Sequence, residues 1–125
     1  MESRIDELEA DIDALLSIWT GIGEANAETW VSVRKSVSEI GTRVRRLGMK
    51  EKMKLVPHAK SAVVEIFVPK AESLCKTIES FSERYELLPF EKVDVRIFEM
   101  DKEVIQGALI KRIDWSRNRL YASFN

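Results

Sequence analysis

The chain has 125 residues, of which 45% are hydrophobic and 33% are charged, and its formal net charge is -1. A chain of this length and composition can bury a core without disulfides or metal, which argues against a wholly disordered polypeptide. The balanced charge argues against a dedicated nucleic-acid binder, because such proteins normally carry a basic excess.

The first predicted element is a helix near the start of the chain. Glycine and proline are scarce, with five and three residues, and this favours long helices over short strands. Apolar residues recur at spacings of three and four, which places them on one face of a helix. They are Ile5, Leu8, Ile12, Leu15, Trp19 and Ile22. We therefore expect an all-α helical bundle, a single helical domain over residues 1–125.

A second helix follows with the same spacing of apolar residues. Arg45 and Arg46 suit the negative end of a helix, and Gly48 suits a left-handed C-terminal cap. We therefore expect this helix to end at residue 48. Its apolar stripe consists of Trp30, Val33, Val37, Ile40, Val44 and Leu47.

The segment 20–23 between the two stripes contains two glycines and allows two interpretations. Residues 1–48 form a helical hairpin, or one long coiled-coil helix runs through with a stutter in its heptads. Residues 2–13 carry six acids and one base, whereas residues 43–54 carry six bases and one acid. Because a hairpin lays these blocks side by side, we favour the hairpin. An antiparallel dimer of long helices would pair the same charges.

Residues 49–125 are expected to complete the bundle, but two segments are ambiguous. Residues 62–68 and 92–99 fit helices and also resemble strands, because they are rich in β-branched residues. We favour helices. If both were strands, the fold would be α+β, with a small β-α-β-α unit beside the hairpin. The helical spacing continues through Ala71, Leu74, Ile78, Phe81, Tyr85 and Leu88, then Phe90, Val93, Ile97, Met100 and Val104, and then Ile105, Leu109 and Ile113.

No catalytic or metal-binding motif is recognisable. The one histidine, His58, is far in sequence from the one cysteine, Cys75, and zinc sites need about four ligands. Pairs of glutamates four residues apart lie beside the apolar stripes, and we interpret them as facing solvent and not as a magnesium site. We expect no enzyme activity, no metal and no cofactor.

The heptad stripes lead to the functional prediction. Such stripes form the core of a bundle or a seam between chains, and Trp19 and Trp30 are too large for a seam of two helices. We expect a non-catalytic protein that acts through protein–protein contact, in self-assembly or as an adaptor or structural component. We also expect a homo-oligomer, a dimer or larger. The predicted core or oligomer seam consists of Ile5, Leu8, Ile12, Leu15, Trp19, Trp30, Val33 and Val37.

The alternative function is a nucleic-acid-associated accessory protein that uses basic clusters at residues 43–54 and 111–119. The second cluster is interleaved with Trp115, and nucleobases stack on aromatic rings while basic groups hold phosphates. We expect the aromatic, basic tail to dock on the core or on a partner. The possible nucleic-acid contacts are Arg43, Arg45, Arg46, Lys50, Arg112, Trp115, Arg117 and Arg119.

Targeting signals are not apparent in the sequence. No apolar run approaches the roughly 20 residues that span a bilayer, and the acidic start of the chain does not resemble a secretory signal. We therefore expect a cytoplasmic protein without a membrane span.

Overall fold

The computed structural model describes residues 3–124, and these form four long helices with no strand among them. The all-α prediction is confirmed, and the α+β alternative is wrong for this part of the chain. Residues 62–68 lie within the third helix. The four helices are α1 (Ser3–Thr20), α2 (Trp30–Lys54), α3 (Ser61–Tyr85) and α4 (Val95–Trp115).

Short 3-10 helices precede α3 and α4, and a short π-helical turn and a further 3-10 helix follow α4. Val56–His58 and Phe90–Lys92 are 3-10 helices that precede α3 and α4. After α4, the chain makes a π-helical turn over Ser116–Leu120 and a 3-10 helix over Tyr121–Phe124. Leu120 and Tyr121 are buried, and so the tail docks on the core of its own chain.

Each helix runs antiparallel to the next, so the chain goes up, down, up and down. The helix α2 packs between α1 and α3, and α3 packs against α4. The bundle closes where α1 meets the end of the chain, because Trp19 Nε1 donates to Gln106 Oε1 and Arg117 Nε donates to Glu9 Oε1 at 2.8 Å. Among the described residues, none of the helices combines the length and the apolar composition that a membrane span needs.

The N-terminal hairpin is confirmed, and opposite charges connect its two helices. Lys50 Nζ lies 3.2 Å from Glu7 Oε1 and 2.8 Å from Asp11 Oδ2, and Lys54 Nζ lies 2.8 Å from Glu7 Oε2. In the turn, the Asn26 side chain accepts hydrogen bonds from backbone N–H groups just before α2. Of the predicted acidic block, Glu2 lies outside the described residues.

The predicted end of α2 at residue 48 is wrong, because the helix continues for more than a turn to Lys54. No glycine in the described part of the chain has a positive φ, so Gly48 does not form the left-handed cap. The turn beyond it is held by burial, since Glu51 and Leu55 both lie in the interior. Tertiary packing here outweighs the local stop signal.

The start and the buried face of α4 also differ from the predicted pattern. Asp94 caps the helix, and its Oδ1 accepts from the backbone N–H groups of residues 96 and 97 at 3.0 and 3.2 Å. Because the helix begins directly after this cap, residues 92–99 do not form a strand. The buried stripe contains Phe98, Ile105 and Leu109. By contrast, three residues that the sequence pattern placed on the apolar stripe are exposed, namely Ile97, Met100 and Val104.

The helices α2 and α3 are packed closely at Gly41. A Cβ atom at this position would lie 2.6 Å from Ser82 Cβ, a distance at which atoms overlap. Ser82 Oγ donates a hydrogen bond to the Val37 carbonyl oxygen at 2.9 Å. Glycine therefore allows α3 to approach α2 closely enough to form this buried hydrogen bond.

Candidate docking groove and its buried polar floor

A cluster of polar side chains lies inside the bundle, at the end where α2 and α4 finish. Glu51 and Arg112 are each 1% exposed, and Ser116 and Tyr121 are also buried. Glu51 comes from the last turn of α2 and Arg112 from the last turn of α4. The other two residues follow in the docked tail, so the cluster depends on the tail being in place.

Hydrogen bonds satisfy this cluster. The Glu51 carboxylate accepts from Ser116 Oγ and from the Tyr121 hydroxyl, each at 2.6 Å, and it forms an ion pair with Arg112 Nη2. Arg112 Nη1 donates to Ser116 Oγ, and its Nε donates to Cys75 Sγ at 3.1 Å. No buried side-chain nitrogen or oxygen among the described residues lacks a partner. The buried charges are therefore compensated in the way that a low-dielectric interior requires.

Burial and the ion pair together shift the pKa values of this cluster. Burial, and then the Glu51 carboxylate, raise the pKa of Tyr121 far above its usual range. Burial also raises the pKa of the Cys75 thiol, although the Arg112 cation opposes that effect. For Arg112, burial lowers the pKa, but Glu51 and Cys75 raise it by more. The cluster therefore keeps a charged Arg112, a neutral phenol and a protonated thiol at neutral pH.

A groove of about 200 Å³ lies over this cluster, between α2 and α3. Its floor contains Phe67, Cys75 and Arg112, and the Arg112 guanidinium lies 5.6 Å from the centre of the Phe67 ring. Met49 stands at its edge and is 58% exposed. The other lining residues are Arg45, Gly48, Glu51, Lys52, Val56, Val68, Ala71, Glu72, Lys76 and Glu79.

The groove combines apolar side chains with buried polar groups that already have hydrogen-bond partners. A thiol whose pKa is raised is a weak nucleophile at neutral pH. Among the described residues, no group of three or more His, Cys, Asp or Glu side chains can hold a metal ion. The groove instead offers apolar walls above a polar floor whose hydrogen bonds are already made, which is a common arrangement in binding sites.

The predicted seam residues all lie inside this chain's own bundle. Ile5 is partly buried and packs against the core, and the other seven are buried. Their apolar faces are therefore covered by the other helices of the same chain. In this arrangement they form an internal core, and a second chain would have to dock elsewhere.

The predicted nucleic-acid contacts are dispersed, and acids of the same chain bind most of them. Five of the eight make ion pairs with carboxylates, among them the buried Arg112. Arg119 lies over the Trp115 ring at 5.2 Å, and Arg46 is exposed on α2. The other pairs join Arg43 to Glu39, Arg45 to Glu79, Lys50 to Glu7 and Asp11, and Arg117 to Glu9 and Asp13.

No family model, no curated protein and no solved structure matches this chain.

Sequence reasoning missed the buried polar cluster, although a signal for it was present. Glu51 lies four residues after Leu47 and continues the apolar stripe of α2. Arg112 and Ser116 continue the buried stripe of α4 in the same way. A charged residue in register with an apolar stripe indicates a buried polar contact. The spacing does not show which partner neutralises it.

Proposed function

We propose that the protein acts through contact with another protein and not by catalysis, and that the groove between α2 and α3 binds an apolar helical segment of that partner. The observation that carries this proposal is the open groove itself, with an exposed Met49 at its edge. Methionine adapts its shape to different apolar surfaces, and it is common where proteins bind partner helices.

The dimensions of the groove suit a short helix. Its α2 wall runs from Arg45 to Lys52, a length of about 10 Å at the helical rise per residue. This corresponds to about two turns of a bound helix, which would place two apolar side chains over Phe67 and Ala71. The bound helix would pack against α2 and α3 in the same way as the helices of the bundle pack against one another.

The charges at the groove indicate the chemistry of the bound segment. Lys52 and Lys76 line it, and neither makes an ion pair within residues 3–124. One acid in the lining, Glu72, is likewise without an ion pair there. The excess is basic, and so a segment with acidic residues beside its apolar face would be favoured.

Selection of helical peptides from a displayed library tests this proposal. We expect enriched peptides to combine an apolar face with acidic residues, and Met49→Asp to weaken their binding at least about tenfold. The matched control is Met53→Asp, which changes a 73% exposed methionine one turn further along α2 that does not line the groove. It should bind almost as well as the unchanged protein. No enrichment, or equal binding by the Met49→Asp variant, would overturn the proposal.

Association with nucleic acid stays a prediction with weaker support. Its candidate cations are spread over α2, α4 and the tail, and most of them already bind carboxylates. A nucleic-acid site would have to compete with these ion pairs for phosphate contacts.

A further inference from the structure

The outward face of α4 carries a second heptad stripe, opposite the one that is buried. Its six residues are all exposed and follow one another at alternating spacings of four and three. Met100 is 63% exposed and Ile110 is 56% exposed, and Val104 beside them is also exposed. The stripe consists of Arg96, Met100, Glu103, Gly107, Ile110 and Asp114.

This stripe is complementary to itself when two copies of α4 run antiparallel. A two-fold axis level with residue 105 sets residue 96 of one copy against residue 114 of the other. The same operation sets residue 100 against residue 110, and residue 103 against residue 107. Arginine then faces aspartate, methionine faces isoleucine, and glutamate faces glycine, so each layer joins compatible side chains.

Charge and space both favour the antiparallel arrangement. A parallel pair would place each charged residue against its own copy, which is repulsive. A Cβ atom at Gly107 would meet no other atom within 4 Å, so a second helix can approach closely there. Arg96 makes no ion pair within the described part of the chain, and its charge is therefore available to Asp114 of a second copy.

We propose that the protein forms a two-fold symmetric dimer through the outward face of α4, with two copies of this helix antiparallel. This surface differs from the N-terminal seam that the sequence pattern indicated, whose residues are buried in the chain's own core. It is also distinct from the groove between α2 and α3. The dimer therefore leaves both grooves free to bind partners.

Sedimentation equilibrium over a range of concentrations tests the dimer. The unchanged protein should show a monomer–dimer equilibrium, and the Met100→Asp/Ile110→Asp variant should remain a monomer with the same helical content by circular dichroism. Arg96→Asp should weaken dimerisation about tenfold, because it replaces two attractive pairs with repulsive ones. The exchange variant Arg96→Asp/Asp114→Arg should restore it.

Disulfide crosslinking tests the register. In a Cys75→Ser background, a mixture of the Met100→Cys and Ile110→Cys variants should form a crosslinked dimer. Each variant alone should not, because its two cysteines would lie about 15 Å apart along the helix pair.

Two results would overturn the proposed dimer. One is a monomer at every concentration, and the other is a dimer that persists unchanged in the Met100→Asp/Ile110→Asp variant. Neither result affects peptide binding at Met49, so failure of the dimer and failure of the groove proposal remain distinguishable.

Discussion

At the scale of single residues, the Glu51 carboxylate accepts three hydrogen bonds inside the bundle. The Glu51 side chain is 1% exposed, and its hydrogen-bond donors are Arg112, Ser116 and Tyr121. A buried ion pair adds little net stability over an apolar contact of the same shape. Removing one member is costly, because the other charge is left without compensation. The cluster therefore ties the docked tail to the end of α2.

Glu51→Gln should lower the free energy of unfolding by about 3–5 kcal/mol, since it leaves the Arg112 cation buried without its counter-charge. Urea unfolding followed by circular dichroism measures this change. The matched control is Glu39→Gln, which removes the solvent-exposed partner of Arg43 and should change the free energy by less than about 1 kcal/mol. Equal effects of the two substitutions would contradict the buried ion pair.

The two tyrosines of the chain should both ionise at unusually high pH. Burial, and then hydrogen bonding to Asp101, raise the pKa of Tyr85 to about 12. The pKa of Tyr121 is raised still further by burial beside Glu51. Absorbance near 295 nm should therefore show no tyrosinate around pH 10, the ordinary value. A phenol that titrates near pH 10 in the folded protein would contradict this geometry.

The same shifts predict how stability depends on alkaline pH. Each phenol holds its proton more tightly in the folded chain than in the unfolded chain, so the folded chain binds more protons above pH 10. The contribution of these two phenols to stability should therefore be constant below pH 10 and fall as the pH rises from 10 towards 12. The Tyr85→Phe variant should lose less stability across this window than the unchanged protein does.

At the scale of helices, the sequence pattern predicted the buried stripes of α1 and α2 well, but on α4 it placed Ile97, Met100 and Val104 on the buried face together with Ile105 and Leu109, and only the last two are buried. On α1 and α2, the distribution of charged residues leaves only one apolar stripe as a candidate for burial. On α4, Ile97, Met100 and Val104 compete with Phe98, Ile105 and Leu109 for the same role. Only the position of the Asp94 cap and the packing of α3 decide which stripe faces inward. Spacing alone does not contain that information.

The groove and its floor were less predictable than the helices. The sequence pattern predicts that α2 ends at residue 48. It therefore does not place the last turn of this helix, with Glu51, inside the bundle. The pairing of Glu51 with Arg112 joins residues 61 positions apart. Contacts over such distances depend on how the helices assemble.

Two glycines within helices provide a matched test of helix packing. Gly41→Ala should destabilise the protein, because its Cβ would overlap Ser82 between α2 and α3. Gly107→Ala should stabilise the dilute protein by about 0.5–1 kcal/mol, because alanine favours the helix and meets no neighbour there. Thermal unfolding measures both changes. A stabilising Gly41→Ala substitution would contradict the close approach of the two helices.

At the scale of the whole molecule, one chain uses its N-terminal heptads to close its own four-helix bundle. The opposite charge blocks of α1 and α2 meet within the hairpin, and Arg117 brings the tail onto α1. The two proposed partner surfaces lie outside the seam, in the groove between α2 and α3 and on the outward face of α4. The bundle positions both surfaces without depending on a second chain for its core.

The most direct test of this account is the dependence of unfolding on protein concentration. In the Met100→Asp/Ile110→Asp variant, the proposed dimer face is removed and the N-terminal heptads are unchanged. We predict a single urea transition whose midpoint is the same at every concentration, since a chain that closes its own core unfolds as a monomer. A midpoint that rises with concentration would show that the heptads pair between chains, and it would contradict the internal core.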